Sequence, residues 1–331
     1  MIWLSWRQFR VQALVAAVFL AALAAVLGVT GLRLAHFYDS SGIGACTAAG
    51  ATDCDRLQLD FLDHYHSLRV IGSLLIGAPA IIGAFWGAPL IARELEGGTH
   101  RLVWTQSVTR ARWLAVKLAI VGAASVVVAA AFSALFTWWA GPLDRVAASG
   151  SRLTPAIFDQ RGIVPVGYAA FAFTLGVTAG LLLRRTLPAM ATTLVGFTAV
   201  RMTIQYGVRP HLLAPVHVSY PPPIYDQANS PLGTNAWVIS SKVVDAAGHV
   251  VATGDPAGFS TNTLAAACHG SPNLPDTFFQ QCADRLGLHN LATLQPASRY
   301  WAFQAWETAI FLALALALVA FCFWWTSRRT A

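Results

Sequence analysis

Charged side chains are scarce in this chain, so the few that recur at short spacing are where chemistry must be sought. Only 11% of its 331 residues are Asp, Glu, Lys or Arg. Two of its three glutamates stand in one run, Arg93-Glu94-Leu95-Glu96-Gly97-Gly98-Thr99, followed by Leu102-Val103, Thr109-Arg110 and Lys117. Carboxylates so placed can pair with Arg93 or Arg101 or with basic groups of a partner, and consecutive glycines permit a sharp turn. Arg201 interrupts the apolar run Leu187–Val208. Ionisable groups at membrane depth tend to face protein or water and to serve function, whereas one near a helix end can instead snorkel to the headgroups. Asp60, Asp63, His64 and His66 would suit a metal on a helix face, but solvated polar residues at a membrane boundary are commoner, and no metal site is assigned. No G-x-S-x-G, H-E-x-x-H or paired carboxylates within the apolar runs occur, so no catalytic residue is assigned and a proton-coupled transporter is disfavoured. The phosphate loop G-x-x-x-x-G-K-[ST] is absent too.

These residues are positioned by apolar runs too long for soluble core helices. The chain is 56% hydrophobic with a mean hydropathy of +0.55. Crossing a hydrocarbon layer takes about 20 apolar residues in helix. Five runs qualify without a formal charge, Val11–Leu32, Val70–Ala92, Leu118–Ala140, Ile163–Leu183 and Thr308–Trp325, and Leu187–Val208 makes a sixth. Backbone facing lipid must satisfy its own amides, so these are helices; β-barrel strands would alternate in polarity instead. The first run exceeds the 7–15 residues of about the longest signal cores and reads as an uncleaved anchor. The expectation is an all-α polytopic membrane protein of six transmembrane helices. Its parts are an interfacial N-terminal segment (1–10), helices 1–5 (11–208), a loop-rich, partly helical extracellular segment (209–306), and helix 6 with a tail (307–331).

Six crossings put both termini on one side. Residues 1–10, 93–117, 184–186 and 326–331 hold eleven Lys/Arg against Glu94 and Glu96, while the remaining loops hold all twelve Asp. Basic residues concentrated beside helix ends mark the cytoplasmic face. Four of the five cysteines, Cys46, Cys54, Cys268 and Cys282, then fall outside, where disulfides persist. Local pairing, Cys46–Cys54 and Cys268–Cys282, is the simplest of the three connectivities. Within the first ten residues, Ile2, Trp3, Trp6 and Phe9 could form a stretch lying flat on the headgroups or simply the aromatic belt of the first helix. Two G-x-x-x-G motifs, Gly83–Gly87 and Gly176–Gly180, allow close helix approach without saying to which partner.

The stretch 92–117 adds a family resemblance. Its order (a helix through Arg93–Glu96, a break at Gly97-Gly98, a short piece Thr99–Gln106 carrying Leu102 and Val103, a cap at Ser107 or Thr109, and Lys117 opening the next helix) resembles the cytoplasmic connection of ABC type-2 permeases. It departs from that pattern at Ser107-Val108, where the family usually has Pro. The resemblance implies a coupling helix docking on a separate ABC ATPase, with Glu94, Glu96, Gly97, Gly98, Thr99, Leu102 and Val103 at the joint. It further implies ATP and Mg on the partner and no cofactor on this chain, which is a transport subunit and not an enzyme. A homodimer or heterodimer of permeases in the bacterial cytoplasmic membrane would export a lipophilic cargo; nucleic acid is not a partner. A receptor or immunity protein, binding a peptide or lipid through its extracellular segment without an ATPase, is the competing expectation.

Overall fold

The computed structural model describes residues 2–48, 54–64, 75–98, 109–146, 151–221, 236–254, 265, 268–270 and 275–329. Among them, five helices are long and apolar enough to cross a membrane, spanning Phe9–Ser40, Arg110–Trp139, Val164–Leu183, Thr186–His211 and Ala297–Arg328. Four of them are uncharged over a stretch of bilayer width, Arg201 interrupts Thr186–His211, and in each the backbone is best satisfied within the helix itself. We label the helices α1 (Ile2–Ser40), α2 (Ile43–Ala48), α3 (Cys54–His64), α4 (75–96), α5 (Arg110–Trp139), α6 (Pro155–Phe158), α7 (Val164–Leu183), α8 (Thr186–Thr203), α9 (Asp276–Leu286) and α10 (Tyr300–Arg329). The end of the bundle that carries Arg93, Arg110, Arg184 and Arg328 is called the basic end, and the opposite one the sheet end.

Helix α4 is the irregular member. It begins with a 3-10 turn (Leu75–Gly77), widens to a π turn over Gly83–Gly87 and ends as α-helix over Ala88–Glu96. Proline explains the widening. Pro89 has no N–H for the carbonyl of Phe85, so the ladder shifts and the Ala88 amide bonds Gly83 O instead. The same device recurs before Arg209-Pro210, where α8 runs into a π turn over Ile204–Val208 and the Arg209 amide reaches Ile204 O.

Helix α7 is the hub. Its glycines meet those of α4: a Cβ on Gly176 would collide with the Gly83 backbone, one on Gly87 with the Phe173 carbonyl, and one on Gly180 with the Ala88 carbonyl. The two G-x-x-x-G motifs are thus each other's partners within one chain. Around this crossing lie three apolar clusters: Phe158, Tyr168, Phe197, Phe303 and Phe311 toward the sheet end; Phe9, Ile91, Trp113, Leu181 and Cys322 at the basic end; and Leu27, Leu34, Phe61, Phe136 and Trp139 between α1, α3 and α5. Helix α1 is unbroken from Ile2 to Ser40, and its candidate membrane span begins at Phe9. Phe9 is buried edge-on against Trp86, with ring centroids 4.9 Å apart.

The segment between α8 and α10 corrects the all-α, loop-rich expectation. It holds a four-stranded antiparallel sheet in the order β1-β4-β2-β3, built from β1 (Val216–Tyr220), β2 (Trp237–Val244), β3 (Val250–Gly254) and β4 (His289–Gln295). The alternation in VHVSY and in HNLATLQ gives one buried face, and Val243 packs beneath it with Ala283 of α9 and Leu288. Cys268 and Cys282 stand at disulfide distance with Cα atoms 6.1 Å apart, and so do Cys46 and Cys54 at 5.8 Å.

Candidate functional site

At the basic end, the acidic run closes onto its own bundle. Glu94 pairs with Lys117 of α5, whose ammonium also donates to Leu90 O (3.4 Å) and lies 5.1 Å from the Trp113 ring centre. Lys117 is 5% exposed, so its charge is held in protein and not in water. Glu96 accepts from the backbone N–H (3.1 Å) and hydroxyl (2.7 Å) of Thr186, capping the first turn of α8 in place of Arg185, which has no side-chain cap. These bonds hold the Glu96 carboxyl below its usual range. Among the described residues Glu94 thus meets Lys117 and Glu96 meets Thr186, while Arg101 lies outside them.

Gly98 supplies the turn, at φ +70°, while Gly97 keeps helical geometry and bonds back to Arg93 O at 3.0 Å. Thr109 caps α5, its hydroxyl accepting from the Arg112 amide at 3.3 Å. Thr99, Leu102 and Val103, with the whole short piece at 99–106, lie outside the described residues. So does His66. Asp60 and Asp63 are on α3, and no group of three or more metal-ligating side chains occurs among the described residues.

The sheet end holds a cluster that sequence reasoning missed. Asp159, just after α6, pairs through one oxygen with Arg201 and through the other with Arg209 (2.5 Å). Arg209 also grips Glu307 of α10 through Nε (2.7 Å) and Nη2 (2.8 Å). The Tyr168 hydroxyl lies 2.5 Å from Glu307 and 3.0 Å from Asp159. Asp159, Arg209 and Glu307 are fully buried, and the four formal charges cancel. Arg201 therefore faces the protein and does not snorkel, because a fixed carboxylate inside is a better partner than distant headgroups. Asp159 and Glu307 share Arg209 and stand just before the apolar runs Ile163–Leu183 and Thr308–Trp325, not within them. Two signals existed: Arg209 stands beside a proline that ends a helix, and Glu307 opens an otherwise uncharged run.

Between α1 and α4 lies a cavity of about 630 Å³. Phe19, Ile82, Phe85 and Phe132 make its walls, Asp159 and Pro165 lie at its sheet end, and Arg93 and Thr186 at its basic end. Val11, Val15, Ile81 and Phe85 line it while also being exposed, so it opens at the side of the bundle. Gln12 donates to the Phe85 carbonyl (3.3 Å), the group that Pro89 leaves without its helical donor.

The family model described as ABC-2 membrane transporter related matches residues 17–209, which include α4, α5, α7 and α8. Searches of curated proteins and of solved structures found no match. The matched stretch, more than half of the chain, takes in the glycine crossing, the Glu94–Lys117 pair and most of the buried cluster, and by it the chain belongs to the ABC-2 membrane transporter related family as an ABC-2 type permease.

Proposed function

We propose that the chain is the membrane subunit of an ABC exporter, moving a lipophilic cargo across a bacterial cytoplasmic membrane with ATP hydrolysed by a separate subunit. The observation that carries this reading is the side-open apolar cavity walled by α1 and α4. Helix α4 is also the helix that ends in Arg93–Gly98. Its apolar part, up to Ala92, belongs to the sixth crossing in this reading, and the basic end from Arg93 onward is cytoplasmic. The stretch 99–106 is, in this reading, the part of the chain that docks on the ATPase. Glu94 and Glu96 then act as positioning residues. By tying α4 to α5 and α8, they let a push on the connector tilt three helices together and reshape the cavity. Two permeases, identical or related, complete the transporter.

Co-purification in mild detergent tests the proposal: an ABC ATPase should be recovered with the chain and its turnover stimulated by it. Exchanging Glu94 for Gln should leave ATPase recovery intact but lower cargo-stimulated turnover severalfold. A chain that recovers no ATPase from its native membrane overturns the reading.

A further inference from the structure

Two hollows meet at the basic end of α4. The apolar chamber just described adjoins a smaller hollow of about 250 Å³ beside the Glu94–Lys117 pair. Gln12, Trp86, Pro89 and Arg93 line both and so form the neck between them. On one side of the neck the walls are hydrocarbon, and on the other Glu94 and Lys117 stand among Phe9, Leu90 and Val121, so polarity rises across the neck as it does along an amphiphile.

Charge selects which amphiphile. At the neck Glu94 neutralises Lys117, whereas no described residue pairs with the Arg93 guanidinium. At the far end of the chamber Asp159 offers nothing to a cation, because Arg201 and Arg209 occupy both its oxygens. A cationic head would meet Arg93 as a like charge. An acidic head would gain a charge-assisted, two-pronged contact of the kind that guanidinium groups make with carboxylate and phosphate. The chamber volume falls within the roughly 300–1,000 Å³ of small-molecule sites, room for one slender molecule and not for a two-chain phospholipid.

The geometry points to a site for a single-chain amphiphile bearing one acidic group, its hydrocarbon in the chamber between α1 and α4 and its carboxylate or phosphate on Arg93 at the neck. This rests on the exporter reading and names the class of cargo it would carry.

The probe is radiolabelled oleate, with methyl oleate and oleylamine as its neutral and cationic counterparts, added to the full chain in phosphatidylcholine nanodiscs. Oleate should bind saturably at one per chain and both counterparts about tenfold more weakly. Arg93→Gln should erase the preference of oleate over methyl oleate, and Arg93→Lys should keep part of it. Val15→Trp, at an exposed position of α1 facing the chamber, should weaken oleate and methyl oleate alike by occupying the space. Equal binding of oleate and methyl oleate to the native chain, or an unchanged preference in Arg93→Gln, overturns the inference. Displacement of oleate by phosphatidylglycerol built into the disc also overturns it, by giving the site to bilayer phospholipid. The assay needs no ATPase. Loss of selectivity alongside a stimulated ATPase therefore removes the cargo class and leaves the permease reading standing, while selective oleate binding without a recoverable ATPase does the reverse.

Discussion

At Asp159 one carboxylate answers two guanidinium groups and a phenol, and none of that network is bathed in bulk water. Removing one member of a buried ion pair leaves the other charge stranded, at a cost of about 3–5 kcal/mol. Asp159→Asn should therefore lower the thermal midpoint of the detergent-solubilised chain steeply, and Glu307→Gln should do nearly the same. A midpoint within a degree of the native one for both would remove the cluster from the list of what holds the sheet end together. Glu96 makes a pH-dependent contribution instead. Its carboxyl titrates below the ordinary 4.5 in the folded chain. The stability it lends is therefore fully present above the unfolded value and disappears as pH falls through the lower, folded one. Thermal midpoints measured from pH 7 downward should hold level to about pH 4.5 and then drop. Glu96→Gln should start lower and lose part of that drop.

Among the helices, the closest fit is between α4 and α7, where backbone meets backbone and a methyl group has nowhere to go. Gly176→Val should prevent folding, read as loss of the monodisperse peak on size exclusion. Gly77→Ala, where the space around the glycine is open, should leave the peak unchanged. Both motifs are visible in the sequence as spacing, but their mutual pairing is not, because glycine has no side chain to say what it touches. The helices themselves were legible, since apolar length is a property of the run alone. The π turns were less so. Their cue is a proline one residue into the next turn, at Pro89 and Pro210, and its effect depends on which donor rescues the freed carbonyl. Only the fold brings Gln12 to Phe85. Asp159, Arg209 and Glu307 were hidden for a similar reason: residues separated by 50 and 98 positions become one cluster only when α7, α8 and α10 pack. Two helix starts are also capped from elsewhere. Glu96 serves α8, and Gln304 of α10 accepts from the amides of Ile163 and Val164, both at 2.9 Å, to serve α7.

On the scale of the molecule, the sheet is fastened to the bundle by polar clasps. Gln295 donates to Leu213 O (2.8 Å) and Arg299 to Ala214 O (2.6 Å), binding the end of β4 to the chain that leaves α8. The sheet escaped the sequence reading because the paired residues of β1 and β4 are 70 to 78 positions apart, and strands of 5 to 8 residues carry weak local signals. The cysteine pairs were easier, as proximity along the chain and an oxidising face both favoured them. Each closed loop should contribute about 2–4 kcal/mol. Reductant should lower the thermal midpoint of the native chain, while a variant with serine at Cys268 and Cys282 should lose only the share of that drop owed to the sheet; non-reducing peptide mass spectrometry checks the pairing directly.

The exact balance of two positive and two negative groups around Arg209 has an electrical consequence. A polarised membrane exerts a pull of about 2.3 kcal/mol per elementary charge per 100 mV across its full thickness. A knot with no net charge feels no net pull from it, and the field bears on the joint only through its dipole. Neutralising a single member would turn an electrically silent joint into one tugged by the field.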